Sequence, residues 1–240
     1  MSEKPQGVAS VERALAILGA FTARDDGLTL HELSLRTGFH KSTILRLAGT
    51  LENARCLHRL PDGRFQLGPM LFHWGGIYQA SLKLEDHVVP MLRRLVEQTG
   101  EGASFFTRDG DARICLFRVD SPRSIRDHVH AGDLLELDRG AAGRGLVSFL
   151  PAIRSRAGFP TSPTIATIGE REPDIAAVAA PVFGHGPSLR GALAVSGPSV
   201  RFSSEVIREI SSLVVDAAIE LTRRLGGDTS LIPEKPVMQI

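Results

Sequence analysis

Between Thr29 and Leu67 the chain runs TLHELSLRTGFHKSTILRLAGTLENARCLHRLPDGRFQL, and this stretch narrows the fold more than any other. Thr29 with Glu32 three residues on is a capping box, in which each side chain satisfies a free amide of the first helical turn. Leu30 and Leu33 give the helix that follows an apolar stripe. Gly38 supplies the positive φ on which helices commonly end. From Lys41 to Asn53, Ile44, Leu47, Ala48 and Leu51 recur at helical spacing, so Lys41, Ser42, Thr43, Arg46 and Thr50 share the opposite, cationic face. Arg55 to Leu60, the turn Pro61-Asp62-Gly63 and Arg64 to Leu67 then form a hairpin.

Two short helices, a tight turn and a basic hairpin constitute a winged helix-turn-helix. Ser and Thr bond phosphates or base edges and Arg takes guanine bidentately, so a face of this kind suits a major groove. Arg46 is the first candidate for base reading. Thr29, Lys41, Ser42 and Thr43 join it, and Arg59 and Arg64 of the wing point to phosphates. From residue 36 to 64 six Lys/Arg stand against two acidic residues, whereas the whole chain carries a net charge of only +1. The positive charge is therefore concentrated where phosphate contacts need it.

Upstream, Ser10 is placed to cap a first helix whose Val11, Ala14, Leu15, Leu18 and Phe21 form a third face for the small core. Downstream, Gly68-Pro69 precedes a connecting helix with Met70, Leu71, Trp74, Ile77 and Tyr78 on one stripe. That stripe holds the chain's single Trp and single Tyr, more apolar surface than a bare linker exposes, and points to a dimer contact. Gly75-Gly76 weakens this helix.

From Leu84 the pattern becomes mixed α and β, in a chain of 240 residues that is 42% hydrophobic and 23% charged, ample for two globular domains. Val88 to Gln98 is helical. Two strands joined at Asp109-Gly110-Asp111 follow, then a further strand over Ile125 to Val129. A Gly- and Ala-rich turn from Asp138 to Gly145 opens another helix, and an irregular segment extends from Pro151 to Thr164. Ile175 to Phe183 and Leu189 to Ser196 are strands, joined by Gly184 to Pro187, and Ser204 to Leu225 is a long helix. The expected division is 1–68 for the winged helix, 69–83 for the linker helix, 84–225 for an α+β domain and 226–240 for a frayed tail. No apolar run approaches the roughly 18 residues of a membrane span, and MSEKPQGVAS has no signal-peptide core, so a cytoplasmic protein without a membrane partner is expected. Cys56 and Cys115 form no metal or redox spacing and read as buried thiols.

GVASVERALAIL, LTLHELSLRTGFHKSTILRLAGTLE, DGRFQLGP and the downstream IAAVAAPVF and GALAVSGP together resemble the IclR family of bacterial transcriptional regulators, over about residues 7 to 225. The resemblance implies a C-terminal effector domain of GAF-like type that binds small, often carboxylate-bearing or aromatic, metabolites, in a homodimer or homotetramer. It places effector-binding positions at Leu135, Asp138, Gly140, Ala141, Ala142, Gly143, Ala177, Ala194 and Ser196. Many members have Cys where this chain has Ala177, and Ser-Val-Ser where it has Ala194-Val195-Ser196. With fewer hydroxyl and thiol partners, a larger, more apolar ligand such as an aromatic acid is expected over glyoxylate or pyruvate. The free amides of the Gly140 to Gly145 turn offer a carboxylate site.

Arg118 pairs either a ligand carboxylate or an internal acid, and Glu172 and Asp174 lead into the AAPV strand as further candidates. His128 and His130, on one side of a strand, allow an alternative metal-responsive reading. No nucleophile elbow, phosphate loop or triad appears, which argues against an enzyme and leaves no cofactor to expect. The chain reads as a regulator whose partners are a palindromic DNA operator, a small-molecule effector and its own copies.

Overall fold

The computed structural model describes residues 7–22, 24–150, 160–186 and 188–233, with the backbone alone at Leu82. It separates into two units, residues 1–82 and 83–240.

In the first unit, α1 (Ala9–Leu18), α2 (Leu30–Thr37) and α3 (Lys41–Asn53) precede a two-stranded antiparallel wing, β1 (Leu57–Arg59) and β2 (Phe65–Leu67). Ile17, Leu33, Ile44, Leu47, Ala48, Leu51, Leu57 and Phe65 form one buried cluster. The capping box is complete: the Glu32 amide donates to Thr29 Oγ1 at 3.2 Å, and the Thr29 amide donates to Glu32 Oε2 at 2.7 Å. Gly38 takes the left-handed conformation at φ 71°.

The first helix differs from expectation. Val8, not Ser10, stands at its N-cap, without a side-chain cap. Ile17 is buried, with Ala14, Leu18 and Phe21 packed around it, whereas Val11 and Leu15 are more than half exposed, as is Val8. Apolar residues at 8, 11, 15 and at 14, 17, 18, 21 both satisfy helical spacing, so periodicity alone could not choose between the two stripes.

Helix α4 (Pro69–Leu82) is continuous through Gly75-Gly76 and belongs to the first unit. Met70 and Leu71 pack on the winged-helix core. Phe72, Trp74, Ile77 and Tyr78 are each at least half exposed.

Arg36 clamps Asp25 through two hydrogen bonds, at 2.7 and 2.8 Å, and donates to the Ala20 carbonyl at 2.9 Å. It is a brace between segments rather than a solvated cation. The guanidinium, with help from Thr22, holds the Asp25 carboxyl far below its ordinary value of 3.8. A carboxyl depressed on folding contributes stability that is complete above its unfolded pKa and is lost as pH falls toward the folded one. The winged-helix unit is therefore expected to lose stability below about pH 4, and Asp25→Asn to flatten that part of a plot of urea midpoint against pH.

The second unit is built on a six-stranded antiparallel sheet in the order β5-β4-β3-β8-β7-β6. Its strands are β3 (Gly102–Asp109), β4 (Ala112–Val119), β5 (Leu134–Glu136), β6 (Ile165–Ile168), β7 (Ile175–Phe183) and β8 (Leu189–Pro198). Helices α5 (Glu85–Thr99) and α7 (Ser204–Arg224) cover one face and α6 (Gly140–Ser148) packs against the other. Alternation along the strands sends Phe106, Ala192 and Ala194 to the α6 side.

Three departures from expectation have physical causes. Ile125 to Val129 is not a strand, because its backbone acceptors are taken by side chains: Arg118 donates to the Asp127 carbonyl at 3.1 Å and Arg201 to that of Ile125 at 3.0 Å. The strand β6 follows directly on the segment expected to be irregular, of which residues 151–159 lie outside the described residues. Residues 226–233 are not a frayed tail: Gly227 bridges to His185 and Gly186, and Leu231 and Ile232 are buried. The remainder, 234–240, also lies outside the described residues. Both thiols are free and buried, and burial pushes that of Cys115 up to about 12.

Candidate functional site

The outer face of α3 is assembled by its inner one. With Ile44, Leu47, Ala48 and Leu51 fixed in the core, Lys41, Ser42, Arg46 and Thr50 are exposed and Thr43 half-buried. Among the described residues neither Lys41 nor Arg46 has an acidic partner within salt-bridge distance. The Thr29 hydroxyl, also exposed, is engaged in the α2 cap. In the wing, the Arg59 guanidinium lies 4.8 Å from the centre of the Phe65 ring, and Arg64 Nε pairs with Asp62 at 2.7 Å. The two wing arginines are thus oriented by neighbours in the hairpin, while Arg46 stands clear on the helix.

A second site lies between α6 and the sheet. A partly open cavity of about 30 Å³ is lined by Phe106, Val129, Leu135, Ile175 and the alanines 141, 142, 177 and 194, with Gly140, Thr167 and Ser196. Arg113, Asp127 and Arg171 complete its described wall. Seven of the twelve positions expected to bind effector therefore meet here: Leu135, Gly140, Ala141, Ala142, Ala177, Ala194 and Ser196.

The other five are placed elsewhere. Arg118, with its side chain 4% exposed, lies outside that wall and pairs with the exposed Asp120 at 3.1 Å and with the buried Ser104, at 2.9 Å, and Asp127. Gly143 is buried where its missing side chain makes room for Arg113 Nη1 and the Leu137 carbonyl. Asp138 faces a separate surface groove with Asp111 and Arg139. Glu172 is exposed and pairs with Arg171 at 3.0 Å, and Asp174 offers its carbonyl to the Ser199 amide at 2.7 Å. The Gly140 amide already donates to Glu170 at 3.3 Å, and Arg144 holds the same carboxylate at 2.6 Å. The start of α6 thus has an acid of its own.

Sequence reasoning missed Arg113, Asp127 and Arg171. Arg113 is 2% exposed, lies 5.4 Å from the Phe106 ring centre, and donates through Nη1 to the carbonyls of Glu136 and Arg139. Burial, reinforced by the charge of Arg171, brings its pKa down to about 10. Asp127 is 2% exposed and receives hydrogen bonds from Arg171 at 2.5 Å and Ser196 at 2.6 Å. His128 and His130, flanking the inward Val129, are exposed, and among the described residues no three His, Cys, Asp or Glu side chains gather as a metal site.

A cationic helix-turn-helix in a winged unit, followed by a sheet unit with a mostly apolar cavity holding a few charged groups, defines a DNA-binding transcriptional regulator. The IclR helix-turn-helix model matches residues 10–61, and the model of the bacterial transcriptional regulator IclR C-terminal domain matches residues 77–168 and 164–223. The chain belongs to the IclR family, whose members are transcriptional regulators and not enzymes. It is 25% identical to the regulator KipR of Bacillus subtilis, covering 90% of this chain and 97% of KipR. It is 28% identical to BhcR of Paracoccus denitrificans, over 92% and 88% of the two chains. The fold is shared with IclR of Thermotoga maritima, at TM-score 0.68 and 20% identity over 91% and 99%. It is shared too with an IclR homologue of Microbacterium hydrocarbonoxydans solved with 4-hydroxybenzoate, at TM-score 0.74 and 17% identity over 90% and 98%.

Among the described residues no helix is long and apolar enough to cross a membrane.

Proposed function

We propose that the chain acts as a cytoplasmic homodimer, or a homotetramer of two such dimers, that reads a palindromic operator through α3 and answers to an organic acid held in the α6 cavity. The observation that carries this reading is the outer face of α3, where Lys41, Ser42 and Arg46 are exposed beside the half-buried Thr43 on a helix whose inner face is packed, while the nearby Arg36 is spent on Asp25. Arg46 takes the base-reading role, Lys41, Ser42, Thr43 and Thr29 contact the groove, and Arg59 and Arg64 contact phosphates from the wing. The effector contacts Leu135, the start of α6 at Gly140, Ala141 and Ala142, and the strand residues Ala177, Ala194 and Ser196. The mostly apolar lining and the 4-hydroxybenzoate of the Microbacterium homologue support an aromatic or other organic acid. The effector shifts DNA binding only by its preference between the bound and free states of the regulator.

Selection of binding sites from random duplex DNA by the purified chain tests the operator. Inverted repeats with half-sites about one helical turn apart are expected, and enrichment of single half-sites contradicts the dimer. The exposed Phe72, Trp74, Ile77 and Tyr78 of α4 supply the contact between copies. Trp74→Glu is expected to raise the dimer dissociation constant at least tenfold by sedimentation velocity, since it places a charge in an apolar interface.

A further inference from the structure

The cavity wall is electrically unbalanced. Among the described residues lining it, Arg113 and Arg171 are cationic and Asp127 is the single anion. Arg171 sits in the turn between β6 and β7, its side chain 19% exposed, and reaches inward to Asp127, which is 2% exposed. Among the described residues Arg113 Nε is buried without a hydrogen-bond partner, and an orphaned charged donor of this kind is costly unless something fills it. A volume of about 30 Å³ has room for water and no more. An anionic ligand needs a cation and space, and withdrawing Arg171 from Asp127 supplies both at once.

We propose that the Asp127–Arg171 ion pair is an internal stand-in for the effector's anionic group, so that an entering carboxylate takes Arg171 from Asp127 and fills the Arg113 Nε–H. Asp127 keeps the Ser196 hydroxyl, 2.6 Å away, and Arg118, whose Nη1 lies 3.9 Å from its carboxylate. It is not left unpaired after the exchange. This rests on the cavity being the effector site and adds the residues that set its charge preference. Asp127 competes with the ligand for Arg171. Cancelling its charge therefore tightens binding of acids, and removing Arg171 abolishes the distinction between an acid and its neutral amide.

The test titrates the full chain with benzoate, 4-hydroxybenzoate and hexanoate and with their three primary amides, by calorimetry, with circular-dichroism melting to follow folding. In the unsubstituted protein at least one acid is expected to bind ten times or more tighter than its amide. Asp127→Asn, nearly isosteric, should tighten that acid about tenfold and leave the amide unchanged. Arg171→Met, at a partly exposed turn and so usable even where Asp127→Asn does not fold, should bring the acid down to the level of the amide, a loss of roughly ten- to a hundredfold. Amides binding as tightly as acids, weaker acid binding by Asp127→Asn, or an acid preference that survives Arg171→Met would each overturn the exchange while leaving an effector cavity in place. Absence of binding by all six compounds would instead overturn the effector reading, and the exchange with it.

Discussion

Arg46→Ala is expected to weaken binding to the selected operator roughly ten- to a hundredfold, the worth of one bidentate contact to a guanine. The residue extends from the solvent face of a helix whose other side is fixed by Ile44, Leu47, Ala48 and Leu51. Truncation therefore removes a contact without disturbing the fold. In the proposed base-reading role, most of the loss should appear as relaxed preference at one operator position, with binding to random duplex falling much less. Lys41→Ala supplies the contrast: a phosphate contact weakens all sequences alike and lowers the slope of log affinity against log salt by about one. Measuring both variants by fluorescence anisotropy at several salt concentrations separates the roles. Equal losses for Arg46→Ala on operator and random DNA would assign that arginine to the backbone.

Gly68→Ala should cost the winged-helix unit about 3 kcal/mol, near the upper end for forced overpacking. A Cβ at this position would stand 2.1 Å from the Arg55 carbonyl oxygen, a backbone atom that cannot rotate away. That approach is required by two hydrogen bonds that fasten the end of the wing and the start of α4 to the end of α3. The Gly68 amide donates to Cys56 at 2.8 Å and the Met70 amide to Arg55 at 3.2 Å. Arg55 itself sits at φ 57°, so the junction is already held in a conformation that favours glycine. In a urea titration followed by Trp74 fluorescence, the variant should unfold at markedly lower denaturant, while unfolding of residues 83–240 keeps its midpoint.

The face that carries Arg46 and the charged wall of the cavity are unequally legible in the sequence. The exposed cationic face of α3 could be recognised because it depends on one helix: the capping box, Gly38 and the spacing of four apolar residues are local signals, and each lies where expected. Strands β7 and β8 were equally plain, as runs rich in Val, Leu, Ala and Phe between turn residues. The charged heart of the cavity was not, since Arg113, Asp127 and Arg171 come from a strand and two loops and meet only after the sheet is assembled. Their interactions replace ordinary local rules, and for that reason the segment around Asp127 resembles a strand in sequence yet forms none. The tail misled for a related cause: Leu231 and Ile232 follow a Gly-Gly break, and nothing local records the surface that buries them.

The outermost strands of the large sheet, β5 and β6, contain three and four residues. So short a border presents few unsatisfied amides and carbonyls to a foreign chain, which leaves little purchase for runaway polymerisation through backbone pairing. That blunt perimeter keeps the sheet from serving as a template for further copies, whatever surface the helices offer.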